Sequence, residues 1–252
     1  MSGALQDKVA LITGSGAGIG RSIAQLFARE GCSVVVSDID VAGGEQTVEL
    51  IRAQNGKAAF ITADVGDESD QEKLVQFSLS TFGGLHVAVN NAGIEPDFVL
   101  MHELTLAGWE RNLRVNLTGV FLGMKHQIRH MMDYGGGAIV NISSIAAAKS
   151  TAKSHSYASS KRGILALTSC AAIEYGAHNI RVNAVMPGAT MTRMLEETER
   201  TSPGILNNFA ASIPLGHIGQ PEQIAQAVLW LSSDAANYVT GQHFSVDGGI
   251  TA

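Results

Sequence analysis

The chain has 252 residues, 45% hydrophobic and 16% charged, with a formal net charge of −6. That length and apolar content suit one large core and one domain, and an acidic balance without a basic stripe excludes nucleic acid as an expected partner. The opening Met-Ser-Gly-Ala-Leu-Gln-Asp-Lys lacks a signal peptide's apolar core, and no stretch approaches the roughly 18 apolar residues of a membrane span. A cytoplasmic protein without a membrane partner is therefore expected. Cys32 and Cys170 match no metal spacing and lie among apolar residues. Both are read as reduced, buried and structural, and no metal is expected.

The first strand candidate, 9–13, runs into Gly-Ser-Gly-Ala-Gly-Ile-Gly and a helix over 18–30. Gly14, Gly18 and Gly20, with Ile19 between the last two, would let backbone N–H groups approach a pyrophosphate at the positive end of that helix. A glycine loop alone is weak evidence. Here it stands between strand and helix, and an acid, Asp38, ends the second strand at 33–37. Asp38 is placed to accept hydrogen bonds from adenosine ribose hydroxyls, or to cap the next turn. A 2′-phosphate about 4 Å from this carboxylate would be repelled by several kcal/mol. Ala17 and Ile39, where a compensating cation would belong, are neutral, so NAD is expected over NADP.

Further along, strand candidates at 58–62, 87–90, 138–142, 181–185 and 243–246 alternate with helix candidates at 43–55, 69–82, 109–133, 154–175 and 221–231. The strands are apolar at successive positions, as when helices cover both faces of a parallel sheet. This rhythm predicts a doubly wound α/β fold, Rossmann-like, with a seven-stranded parallel sheet in a single domain over 1–252. The interruption at 193–215 holds Glu196, Glu197, Glu199 and Arg200 and then a Ser-Pro-Gly break. It is read as a substrate lid at about 190–215, against the alternative of a peripheral helical excursion.

Tyr157 and Lys161 stand four residues apart in a helix candidate and so share one face. The ammonium is expected to lower the phenol's pKa from about 10, making it an acid and base for an alcohol or a carbonyl. Ser144 ends the fifth strand and can donate to a developing oxyanion; Ser143 is its rival.

Together these features resemble the short-chain dehydrogenase/reductase family. The likeness covers nearly the whole chain and rests on Thr-Gly-x-x-x-Gly-Ile-Gly, Asn90-Asn-Ala-Gly93, Asn116, Ser144, Tyr157-x-x-x-Lys161 and Pro187-Gly188. It implies Tyr157 as acid and base, Lys161 as its tuner and a ribose ligand, Ser144 as carbonyl orienter, and Asn116 as support through a distorted helix. It also implies cofactor contacts at Asp64 and Val65, at Asn91, Ala92 and Gly93, and at Pro187, Gly188, Thr190 and Thr192. Asp64 and Thr192 remain alternative helix caps.

The same resemblance places substrate among Ile94, Ile145, His155, Met191 and Met194, with Ser144, in a mainly apolar pocket joined by Phe98 and Leu195. His155 is open to either pocket or solvent, and Glu95, Lys149 and Lys153 are the charges nearby. The expected activity is NAD(H)-dependent interconversion of a hydrophobic or cyclic secondary alcohol and its ketone, in a homotetramer or dimer. The alternatives are a 3-oxoacyl-carrier reductase using NADPH and a catalytically silent nucleotide-binding regulator.

Overall fold

The computed structural model describes residues 3–192, 195, 199–200 and 204–252. Strands β1 (Val9–Thr13), β2 (Ser33–Asp38), β3 (Lys57–Thr62), β4 (Val87–Asn90), β5 (Gly137–Ile142), β6 (Ile180–Pro187) and β7 (His243–Val246) form a single sheet. Its order is β3-β2-β1-β4-β5-β6-β7, and every pairing is parallel. Helices α1 (Gly18–Arg29), α2 (Val41–Arg52), α3 (Glu68–Phe82), α4 (Leu106–Leu113), α5 (Gly119–Asp133), α6 (His155–Tyr175), α7 (Ile205–Ser212) and α8 (Pro221–Ser232) are found among the described residues. The doubly wound Rossmann-like expectation holds, and the order reverses between β1 and β4, where such sheets open a crevice at their carboxyl ends.

Consecutive strand residues serve opposite faces because side chains alternate across a sheet. Ile12 and Val36 pack with Ile23 and Phe27 of α1 and Ile224 and Val228 of α8. Their neighbours Leu11 and Val35 pack with Leu74 of α3, Met124 and Met131 of α5, and Ile164 of α6. Each such side chain, fully buried, contributes about 1.5–3 kcal/mol. A polar chain crosses the second face. Asn90 Nδ2 donates to Gln127 Oε1 at 3.1 Å and to Asn141 Oδ1 at 2.9 Å, and Asn141 Nδ2 donates to Thr168 Oγ1 at 3.0 Å. With these groups mutually satisfied, α5 and α6 are held in register over β4 and β5.

Two expectations need correction. The helix expected at 109–133 is broken: α4 ends at Leu113, a π-helical turn spans Arg114–Thr118, and α5 begins at Gly119. Such a turn accommodates an extra residue, and the Asn116 amide bonds outside its own helix, to the main chain of Ile94. Cys170, expected to be buried, is exposed, because α6 turns Ala171 and Ala172 inward instead. Cys32 is buried, and that burial pushes its thiol up to about 12.

His130 of α5 is buried, stacks on Tyr134 with centroids 4.2 Å apart, and has no hydrogen-bond partner at Nε2. Burial lowers its pKa, opposed only by Asp133. The folded state therefore favours neutral imidazole, and its stabilising contribution is complete above the unfolded pKa of about 6.5. That contribution is lost as pH falls through the lowered folded value. Thermal melts from about pH 8 to pH 5 should show a decline in Tm that is shallower in His130→Leu. Identical slopes in the two proteins would show that His130 carries none of it.

Candidate active site

A cavity of about 560 Å3 opens at the carboxyl ends of the strands, running past the glycine loop to Ser144, Tyr157 and Lys161. That volume is ordinary for a small-molecule or cofactor site. The loop's geometry depends on absent side chains. Gly14 holds φ +62°, and a Cβ on Gly20 would lie 2.2 Å from the Gly14 carbonyl oxygen, so backbone alone fills this turn. The opposite wall is fixed by Asn91, whose Nδ2 donates to the Thr13 and Gly14 carbonyls, each at 2.9 Å. Thr13 Oγ1 accepts from the N–H groups of Asn91 at 3.1 Å and Ala92 at 3.2 Å.

Asp38 serves the loop as well as the cavity. Its Oδ2 accepts from Gly16 N at 2.8 Å and its Oδ1 from Asp40 N at 3.0 Å. A carboxylate offers about four lone-pair sites, so acceptor capacity remains toward the cavity. The cap of α2 is Asp40, which accepts from Gly43 N at 3.2 Å. Asp38 thus makes the local turn that was its alternative reading while also lining the cavity. Arg21 of α1 braces the loop from behind, bonding the Gly16 carbonyl oxygen and donating to Thr47 Oγ1 and Gln46 Oε1, both at 2.9 Å. Its guanidinium is spent on protein groups. Asp64 accepts from Arg114 Nη1 at 2.9 Å, so the carboxyl expected to contact the cofactor is paired with an arginine that also lines the cavity.

At the far end, Lys161 is buried and its Nζ donates to the Ile142 carbonyl oxygen at 3.0 Å. The same Nζ lies 5.6 Å from the Tyr157 ring centroid. Gly93 makes room, since a Cβ there would come within 3.4 Å of Nζ and 3.1 Å of Asn116 Oδ1. Burial pulls Lys161 down to about 8. The phenol of Tyr157 is raised, first by burial and then by Glu95, while a hydrogen bond with Ser144 lowers it. The direction is opposite to the lowering expected beside Lys161. Desolvation is the largest cause of the shift.

Ser144 Oγ accepts from Ala146 N at 3.1 Å and faces the cavity with Ser143. The rival hydroxyl, Ser143 Oγ, donates to the Lys161 carbonyl oxygen at 2.7 Å, so it ties β5 to α6.

The cavity lining includes Gly14, Gly18, Ile19, Gly20, Asp38, Asp64, Val65, Asn91, Ala92, Gly93, Ile94, Ser144, Tyr157, Lys161, Pro187, Gly188, Thr190 and Thr192. It does not include Asn116, Ile145, His155 or Met191. Asn116 is buried behind Ile94, accepting from its N–H and donating to its carbonyl, each at 2.8 Å. Met191 is drawn to the α8 side, where its N–H donates to the Gly219 carbonyl at 2.8 Å. Ile145 begins a short 3-10 turn and His155 opens α6. Met194 lies outside the described residues, as do 193, 196–198 and 201–203 of the expected lid. Arg21, Arg114 and Asn112 were not among the expected site residues. Arg21 follows the last loop glycine directly, a signal the glycine spacing does not weigh; the roles of the other two depend on the π turn, which has no sequence period of its own.

A family model described as Enoyl-(Acyl carrier protein) reductase matches residues 14–251. The chain is 43% identical over 252 residues to a cyclohexanol dehydrogenase of Acinetobacter sp. (strain SE19), covering 100% of this chain and 98% of that protein. It is 40% identical over 252 residues to a cis-4-hydroxycyclohexanecarboxylate dehydrogenase of Sinomonas cyclohexanicum, covering 100% of both. Among solved structures it is similar to levodione reductase, with a TM-score of 0.94 and 33% identity over 98% of each chain.

Proposed function

This chain belongs to the short-chain dehydrogenase/reductase family, and from that premise we propose that it interconverts a hydrophobic cyclic secondary alcohol and its ketone with NAD(H). One observation carries the reading: a single cavity joins the Asp38 end, suited to an adenosine ribose, to Ser144, Tyr157 and Lys161. When bound, oxidised NAD supplies the hydride acceptor and a positive ring. Asp38, the Gly14–Gly20 turn, Asn91–Gly93 and the Pro187–Thr192 segment would hold it.

Tyr157 takes the proton of the substrate hydroxyl in oxidation and returns it in reduction. Ser144 donates to the substrate oxygen and so fixes which lone pair faces the phenol. Lys161, held by the Ile142 carbonyl, keeps positive charge beside the phenol. Desolvation disfavours the ionised form of Tyr157, so its ionisation depends on positive charge entering the same pocket. Asn116 holds the Ile94 backbone and with it the apolar wall. The segment at 190–215 is read as the cover of the substrate, with Thr190, Thr192 and Leu195 lining the cavity. Relatives named for ring alcohols support the substrate class. Exposed Phe121 and Met132 on α5 and Ile173 on α6 support a homo-oligomer, expected as a tetramer and cytoplasmic. Assay of cyclohexanol and related ring alcohols by NADH absorbance tests the reading, and no turnover with either cofactor overturns it.

Cofactor choice follows from Asp38. No lysine or arginine lines the cavity beside it among the described residues; Arg114 is paired with Asp64 and Lys161 lies at the other end. The kcat/KM with NAD should exceed that with NADP by at least about a hundredfold, as a few kcal/mol of repulsion requires. Asp38→Ala should narrow the gap mainly by lowering efficiency with NAD. A wild-type preference for NADP would refute the assignment.

A further inference from the structure

For a dinucleotide held as above, the reacting ring meets Ser144 and Tyr157 on the β5 side of the crevice, and the adenosine ribose meets Asp38 at the end of β2. The strand beyond β2 in the sheet is β3. The purine end of the cavity is therefore the part lined by Ile39, Ala63, Asp64, Val65, Arg114 and Val115. The apolar members suit the faces of any purine ring. Asp64 and Arg114 are the pair that can meet its edge.

That pair is preformed. Asp64 Oδ2 accepts from Arg114 Nη1 at 2.9 Å, and its Oδ1 accepts from Gly66 N at 2.9 Å. The guanidinium lies over Gly66, in the space a side chain would take, since a Cβ there would come within 2.9 Å of Cζ. The two segments that carry the pair are locked together by Gln71, which is 1% exposed. Its Nε2 donates to the Val65 carbonyl at 3.0 Å and to the Gly119 carbonyl at 3.1 Å. A buried amide satisfied in this way fixes both chains it holds. These contacts use only part of the guanidinium's five N–H donors and the carboxylate's roughly four lone-pair sites. A donor and an acceptor therefore stand together at the purine end.

Resting on the reading of the site as one for a nicotinamide dinucleotide, we propose that the Arg114–Asp64 pair lets it take either a 6-aminopurine or a 6-oxopurine, so that nicotinamide hypoxanthine dinucleotide serves in place of NAD. A bare carboxylate suits the donating amine of adenine and repels the oxo group of hypoxanthine; a bare guanidinium has the opposite preference. Paired, each offsets the other's selectivity.

The test compares Kd for NADH and for its reduced hypoxanthine analogue, read by nicotinamide fluorescence, in wild type, Arg114→Met and Asp64→Ala. Ratios are taken within each protein, so a general loosening of the site cancels. Wild type should hold the two within about threefold of each other, less than one hydrogen bond to a charged group is worth. Arg114→Met should favour NADH by about tenfold, and Asp64→Ala should favour the analogue by about the same factor, modest because the two side chains are 48% and 41% exposed. A wild-type preference of about tenfold or more in either direction, or ratios that both substitutions leave unmoved, overturns the proposal. So does a shift in the same direction in both variants, which would mark the pair as a structural tie. These outcomes leave the ring-alcohol reading to its own turnover assay. Failure of wild type to bind NADH would remove the cofactor reading and this proposal with it.

Discussion

Replacing Tyr157 by Phe is expected to lower kcat/KM for a ring alcohol by about a thousandfold, the middle of the range for a positioned acid and base, while NADH binds with an unchanged Kd. The substitution deletes one oxygen from a half-buried ring beside Lys161. Packing and the cofactor cradle are retained, because that cradle is built by the glycine turn, Asp38 and Asn91. What is lost is the group that carries the proton, so kcat and kcat/KM should fall together. The wild-type oxidation rate should rise with pH, since burial holds the phenol above its ordinary value and only the ionised form accepts a proton. The residual rate of the variant should lack that dependence. Turnover within about tenfold of wild type, or a loss confined to KM, would remove Tyr157 from the chemistry.

The sheet was legible in the sequence because its strands are short continuous runs of β-branched and small apolar residues, a pattern that burial on both faces imposes. β1, β4 and β7 begin and end at the expected residues, and the other strands shift by a residue or two where fraying of the ladder sets the boundary. The glycine turn was legible for a steric reason: no other side chain fits beside the Gly14 carbonyl. The break at Arg114–Thr118 was legible only through resemblance. Its cause is tertiary, the bonding of Asn116 to Ile94 across 22 positions of chain, and no local propensity reports such a bond. The same distance hid the second partner of each expected site carboxylate. Asp38 bonds a loop N–H 22 positions away and Asp64 an arginine 50 positions away. The sign of the Tyr157 shift was not legible, because helical spacing reveals a neighbour and says nothing of the desolvation at the phenol.

Lys161→Met should give a protein that is more stable and nearly inactive. Lys161 is 4% exposed and has one carbonyl as its hydrogen-bond partner, and burial has drawn its pKa from 10.5 to about 8. At pH 7 the ammonium is charged in both folded and unfolded chains, so the whole difference acts against folding, about 3 kcal/mol. Methionine fills a similar volume without the charge, and the Ile142 carbonyl loses a donor worth about 1 kcal/mol. The net gain of about 2 kcal/mol should raise Tm by about 5 °C for a chain of this size. The sign of the pH dependence follows. Between about pH 8 and 10.5 the lysine in the folded state sheds its proton ahead of the unfolded one, the penalty fades, and the stability gap should close. Over the same substitution kcat/KM should fall by about a hundredfold or more, because the phenol loses the positive charge that opposes its desolvation. A variant less stable than wild type by the same margin at both ends of that pH range would show that the lysine is a structural support. An active variant would show that the phenol needs no ammonium. Stability and turnover moving in opposite directions is the signature of a charge placed at a cost to the fold for the sake of the chemistry.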